Sequence, residues 1–294
     1  MKFDRFARRK LLSHTFTILS GLAIVVILVP LASVLYTAVS LGAPSFSVGL
    51  FTQGLPVPCA PHAGITCPKG GLAWPIEGTL TLLGLASLVA VPIGIGGAIF
   101  SVEYGDRYSA ARIVGLVADV LSGTPSIVVG AFVYSLVLLY APNIVFSQIS
   151  GSLTLAVLMT PIVTRTTETA LRTVPRSVRE AALALGISRW KITMRIVMVS
   201  ALPGVLTGVL LAISRAAGEA APLLLSDSSL RQCIALNQPC AAMPIMIFTF
   251  ADSPYPNWIS LAWAAALVLI LLVLALSVLS RLVLERTARR MAGA

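Results

Sequence analysis

Six long apolar runs leave this chain few choices of fold: about Phe16–Leu41, Gly78–Val102, Thr124–Tyr140, Leu153–Leu171, Val205–Leu225 and Trp258–Leu282. A helix needs roughly 20 apolar residues to cross a bilayer. Inside lipid the backbone finds no water to bond, so each run must satisfy its own N–H and C=O groups as a helix. The sequence therefore predicts an all-α integral membrane protein with six transmembrane helices. Composition agrees, since 57% of the 294 residues are hydrophobic and 11% charged, against about 45–50% and about 25% in a soluble domain. The first run exceeds the usual signal-peptide core of about 7–15 residues, and five more follow it, which argues against a cleaved leader.

The net charge of +10 invites a nucleic-acid partner, but the placement of the cations does not. Segments Met1–His14, Glu103–Arg112, Arg172–Arg195 and Arg281–Arg290 hold 5, 2, 6 and 4 Lys/Arg, which is 17 of the 21. The alternate connections hold only Lys69 and Arg231. This is the positive-inside pattern for six spans with both termini cytoplasmic in a multi-pass cell-membrane protein. The basic balance reports topology and contact with anionic lipid, and no nucleic acid is expected.

All four cysteines fall in the two long outer connections, Cys59 and Cys67 in the first and Cys233 and Cys240 in the last. Their segregation points to an oxidising compartment and to local disulfides, Cys59–Cys67 and Cys233–Cys240. Four cysteines permit three pairings, and free thiols are the competing reading. A metal site is disfavoured, because only His62 lies nearby.

The chain reads as one transmembrane domain, 1–294, with spans at 16–41, 78–102, 124–140, 153–171, 205–225 and 258–282. Residues 108–122, after the turn at Glu103–Arg107, form a mildly amphipathic interfacial helix. Gly123-Thr124-Pro125-Ser126 then breaks the chain and starts the third span. Pro92-Ile-Gly-Ile-Gly-Gly97 and Gly204-Val-Leu-Thr-Gly208 offer small residues for close helix packing. Trp258 and Trp263 have the position of interfacial anchors.

Segment 176–199 is a polar, helix-forming insert between apolar runs, and something outside the membrane has to use it. Glu180-Ala-Ala-Leu-Ala-Leu-Gly186 predicts a helix, a turn at Gly186 and a second helix from Ser188. The spacing Glu180-Ala181-Ala182, three residues, Gly186, nine residues, Ile196 resembles the signature loop of ATP-binding-cassette importer permeases. In that family the loop is a coupling helix that docks on the ATPase, which implies this role for Glu180, Ala181, Ala182 and Gly186. Where the family has Leu-Pro after the isoleucine, Met198-Val199 stand here, and a proline follows at Pro203. The chain contains no Gly-x-x-x-x-Gly-Lys-Ser/Thr, so ATP must be used by a separate subunit.

Charge inside a span costs about 2.5–3.5 kcal/mol on insertion scales. Two spans carry it, as Arg165-Thr-Thr-Glu168 and Arg215-Ala-Ala-Gly-Glu219. Arg and Glu three or four apart share a helix face and can pair. One reading is two self-neutralised structural pairs. The other is an anion path, with Arg165 and Arg215 binding oxyanions through their planar forks, Glu168 and Glu219 holding them, and Thr166, Thr167 and Thr169 adding hydroxyls.

Four motifs in order, Leu121–Gly130, Arg165–Pro175, Arg179–Gly186 and Arg215–Leu224, resemble the A-type permease subunit of high-affinity phosphate importers, most closely over Trp74–Leu224. The resemblance implies a type I importer permease fold that moves inorganic phosphate by alternating access. It also implies a homologous second permease, two ATPase subunits and an extracytoplasmic phosphate-binding protein. No cofactor and no catalytic residue are expected in the chain itself. A sulfate or molybdate importer permease is the nearest alternative. An ion-coupled secondary transporter is disfavoured because no internal repeat is visible, and an inert scaffold because packing does not require intramembrane Arg/Glu pairs.

Overall fold

The computed structural model describes residues 3–59, 67–105, 108–227 and 229–292. His62 lies outside the described residues, as does Arg107 in the turn expected at Glu103–Arg107.

Among the described residues the structure is helical, with no strand. The helices are α1 (Phe3–Gly42), α2 (Val48–Thr52), α3 (Ala73–Tyr104), α4 (Ser109–Gly123), α5 (Ser126–Tyr140), α6 (Gln148–Arg172), α7 (Arg176–Ala184), α8 (Arg189–Ile192), α9 (Met198–Ala216), α10 (Leu223–Ser226), α11 (Met243–Ala251) and α12 (Pro256–Ala292). Among the described residues five stretches are long and apolar enough to cross a membrane: Arg8–Ser45, Ala73–Tyr104, Gln148–Arg172, Arg189–Ala216 and Pro256–Leu279. The bent pair α4 and α5 makes a sixth if counted as one span.

The hub is α6, which packs against α3, α9, α4 and α5. Its own composition explains this: small and polar residues alternate with apolar ones, so it can be surrounded closely on several sides. Its buried Leu155, Ala156, Met159 and Val163 meet Leu82, Leu83, Ala86 and Ala90 of α3 and Ala212 and Ala216 of α9 in the central core. A Cβ on Gly94 would come within 2.8 Å of Val163 Cβ, so the glycine stretch of α3 brings two helices together. Gly204 and Gly208 of α9 do the same against α6. A Cβ on Gly204 would lie 2.8 Å from Ala170 Cβ, and one on Gly208 would overlap Thr166.

Two spans differ from their sequence-based bounds. The fifth does not begin at Val205. A π-helical segment, Thr193–Val197, joins α8 directly to α9, so one helical rod runs from Arg189 to Ala216. It also stops short of the expected Leu225, because the chain unwinds at 217–222. The third span is shorter than expected: α5 has 15 residues, about 22 Å of helix, while the hydrocarbon core is about 30 Å thick. It meets α4 at 111°, so α4 cannot simply prolong it.

One end of the bundle carries both disulfides. Cys59 and Cys67 are bonded, as are Cys233 and Cys240, with Cα separations of 5.6 and 4.7 Å. The second loop is sewn to the start of α6: Ser147 N donates to Ser226 O, Gln148 N to Gln238 O and Ile149 N to Leu236 O. Trp258 is part of this packing and is not a lipid-facing anchor. Its ring stacks on Phe250 at 4.1 Å and its Nε1–H donates to Pro56 O at 3.1 Å. By contrast α1 is exposed along its span and reaches the bundle through α12.

Candidate anion site and coupling surface

Arg165 and Arg215 both stand on helices of the central packing, yet they are held very differently. Arg165, on α6, reaches across to α4. Its Nη2 donates to Gly115 O at 2.6 Å and pairs with Asp119, while its Nη1 pairs with Glu168 at 2.5 Å. The sequence reading expected Glu168 and did not foresee Asp119. Burial of Ala111, Gly115 and Ala118 along α4 shows why: a small-residue face lets α4 lie close to α6, and Asp119 comes with it. One guanidinium thus faces two carboxyl groups, and both of its terminal nitrogens are engaged.

Around it the threonines divide. Thr166 donates to Ile162 O at 2.8 Å and packs on Gly208. Thr167 is fully buried, with no hydrogen-bond partner for its Oγ1. Thr169 is exposed and donates back to Arg165 O. Arg165, Thr166, Thr169, Thr173 and Thr207 line an open groove of about 520 Å³ between α6 and α9.

Arg215, near the end of α9, is loosely held. Its Nε lies 3.8 Å from Glu219 Oε1, and its side chain is 64% exposed. Arg215 and Glu219 line a small cavity of about 30 Å³ with Ser122, Thr124 and Ser126 at the α4–α5 break and Pro161 of α6. Three irregularities converge here. The α4–α5 junction bends, α9 unwinds after Ala216, and α6 carries Pro161. Gly130 permits the approach, since a Cβ there would lie 2.7 Å from Pro222 Cα. Non-helical backbone at membrane depth is tolerated where it lines a wet cavity or is buried in protein. The sequence reading named Arg215 and Glu219 but missed the three hydroxyl residues. Their signal was the Gly123-Thr124-Pro125-Ser126 break itself.

A second candidate surface lies at the opposite end from the disulfides. Gly186 follows α7 with φ +75, a conformation that costs side chains and suits glycine. Gly186 N donates to Leu183 O and Ile187 N to Ala182 O, which closes the helix end in a Schellman motif. Glu180 and Ala181 face outward, but Ala182 is buried against the bundle with Ile192 and Val197. The exposed apolar groups include Leu183, Leu185 and Trp190, which sequence reasoning did not single out. Arg179 anchors the helix from beneath, 2.9 Å from Glu103 Oε1 and donating to Leu171 O at 2.8 Å.

Comparison with known proteins fits this architecture. Residues 90–292 match the family model described as binding-protein-dependent transport system inner membrane component. The chain is 40% identical over 282 residues to the phosphate transport system permease protein PstA of Haemophilus influenzae, covering 95% of each chain. It is 40% identical to the protein of the same name from Yersinia pestis, over 86% of this chain and 83% of that one. For the permease protein PstA 1 of Mycobacterium tuberculosis the identity is 34%, over 96% and 92%. The fold is similar to that in inward-facing structures of the MetNI methionine ABC transporter, with a TM-score of 0.60 at 14% identity over 73% of this chain and 96% of that one. An amino acid ABC transporter gives 0.52 at 18% identity, over 72% and 92%. The chain belongs to the family of binding-protein-dependent transport system inner membrane components and groups there with the PstA permease proteins.

Proposed function

We propose that this chain is the phosphate-conducting permease subunit of an ATP-driven importer, with Arg215 as its principal oxyanion contact. The observation that carries the assignment of Arg215 is the cavity where the α4–α5 break and the unwound end of α9 meet Pro161 of α6 beside a weakly paired guanidinium. An arginine whose partner stands 3.8 Å away can turn its fork to a tetrahedral oxyanion, and such charge-assisted pairs are among the strongest hydrogen bonds. The N-terminal end of α5 adds backbone donors and the positive end of its dipole. Glu219 holds Arg215 between passages. The cavity is smaller than an oxyanion requires, so occupancy needs the helices to part, as alternating access demands. Arg165, already engaged by Glu168 and Asp119, serves to lock α4 to α6, while its exposed edge and Thr169, Thr173 and Thr207 form a polar wall that a second permease closes.

The termini are cytoplasmic in this reading, the disulfide end faces the binding protein, and ATP is hydrolysed by separate subunits. The chain itself catalyses nothing. Leu183, Leu185 and Trp190, with Glu180 and Ala181, dock on the ATPase, because exposed apolar side chains clustered at a polar surface mark interaction sites. Ala182 and Gly186 shape the element from within.

The test is uptake of labelled phosphate by vesicles holding the complete complex. Arg215→Gln is expected to lower uptake about a hundredfold, the worth of one or two charge-assisted hydrogen bonds, with the complex still assembled. Unchanged uptake would remove Arg215 from the path. Entry of sulfate or molybdate in place of phosphate in the wild type would overturn the substrate and leave the fold.

A further inference from the structure

The α7 end holds a second polar feature, remote in kind from the Arg215 cavity. An open cleft of about 400 Å³ lies between the ends of α3 and α6 and the starts of α4 and α7, and its lining includes Ser101, Arg112, Arg172, Arg176 and Arg179. The four arginines come from three helices: Arg112 from α4, Arg172 from the last turn of α6, Arg176 and Arg179 from α7. Among the described residues that line the cleft there is no carboxylate. Arg179 is committed to Glu103 and Leu171 O. Arg112, Arg172 and Arg176 are exposed, and none makes an ion pair with a described residue.

Cations serving only membrane topology can spread apart in solvent and lower their mutual repulsion. Here three of them converge on one volume whose fourth arginine is fixed in place. Such a concavity focuses positive potential and concentrates anions. Guanidinium forks match the oxygens of phosphoryl groups, and the Ser101 hydroxyl adds a neutral donor. A carboxylate ligand is met by a single fork, whereas a phosphoryl group offers oxygens to several arginines at once. We infer that this cleft is an anion site for a phosphoryl group, supplied by free inorganic phosphate or by the head group of an anionic phospholipid, whose binding ties α7 to α3, α4 and α6. The inference stands whatever the Arg215 cavity conducts. Its consequence is that the surface proposed to meet the ATPase is stiffened by an anion at the membrane face.

The experiment uses the permease–ATPase complex, without binding protein, in nanodiscs, and reads hydrogen exchange of the α7 amides. Nanodiscs of phosphatidylcholine alone are the reference. One arm replaces part of that lipid with phosphatidylglycerol, and the other adds inorganic phosphate to the reference discs. Exchange in α7 is expected to slow about tenfold in at least one arm. Slowing with phosphatidylglycerol alone identifies the lipid, and slowing with phosphate in phosphatidylcholine identifies the free anion. The gain should vanish in the Arg172→Gln, Arg176→Gln pair and in Arg112→Gln, and persist in Lys191→Gln. Arg112 stands on a different helix from the amides being read, so it decides the matter if the double variant fails to assemble. No slowing in either arm, or slowing that survives Arg112→Gln, would overturn the inference.

Discussion

Arg165 and Arg215 look alike in sequence, each followed by a glutamate one helical turn later, but the fold has made them opposites. Arg165 is clamped from two helices by two carboxyl groups and a backbone carbonyl. Arg215 has one distant partner and open space beside three hydroxyl residues. The difference teaches that an intramembrane arginine is read by the number of acceptors its neighbours bring, not by its own helix. A guanidinium whose two terminal nitrogens are both engaged builds structure. A loosely held one is free to take another partner.

The largest expected effect tests that contrast at Arg165. Arg165→Gln leaves Glu168, which is 5% exposed, without its partner; removing one member of a buried pair costs about 3–5 kcal/mol, and the 35% exposure of Arg165 puts the loss at the lower end of that range. Thermal melting of the complex should drop accordingly, and adding Glu168→Gln should recover part of the loss. Arg215→Gln should leave melting unchanged. Equal melting losses at both arginines would erase the distinction.

The same idea extends to a buried carboxyl group at the disulfide end, outside the spans. Asp227 is fully buried and accepts from Cys240 N at 3.0 Å, while its Oδ2 has no partner. Burial pushes its carboxyl up to about 7, opposed by the Cys240 N–H. A carboxyl raised above its unfolded value stabilises the fold at low pH, and that contribution disappears as pH rises through about 7. Stability should therefore fall by about 3 kcal/mol between about pH 5 and about pH 8, and Asp227→Asn should flatten the profile. A flat wild-type profile would show that the group is solvated in the assembled complex.

A smaller effect is expected at the α6–α9 contact. Gly208→Leu forces side-chain atoms into Thr166, an overpacking that costs about 1–3 kcal/mol, measured by melting. Gly96→Ala, where the Cβ would meet nothing within 4 Å, serves as its silent counterpart. The smallest is Thr124→Val, which removes one hydroxyl beside Arg215 and should slow phosphate uptake about tenfold without changing melting. If Thr124→Val were silent while Arg215→Gln was not, the arginine would act without the α4–α5 break.

Most of the architecture was legible because lipid permits so few backbones. The apolar runs, the Gly204 and Gly208 contact and the local cysteine pairs follow from hydropathy, residue size and spacing. What sequence could not supply was set by tertiary contact. Asp119 lies in a separate helix from Arg165, and only the packing of α4 on α6 joins them. Trp258 has the composition of a lipid anchor but finds Phe250 and Pro56 O inside the protein. The end of the fifth span was read from its apolar residues, whereas the backbone unwinds after Ala216 because Gly218 and Pro222 interrupt it. At the candidate site, Arg215 and Glu219 announced themselves as charges in a span. Ser122, Thr124 and Ser126 did not, since hydroxyl residues at a helix break are ordinary until the fold shows what they face.

The continuity of α8, the π-helical segment and α9 has a mechanical consequence. Trp190 and Arg215 ride on one rod of 28 residues, about 42 Å long. The rod packs on the bundle well to either side of Gly204 and Gly208, through Ile192, Val197 and Ala201 toward Trp190 and through Ala212 and Ala216 toward Arg215. Trp190 and Arg215, 25 residues and about 38 Å apart, are therefore joined by one helical element seated on α6, with no loop between them to absorb a displacement.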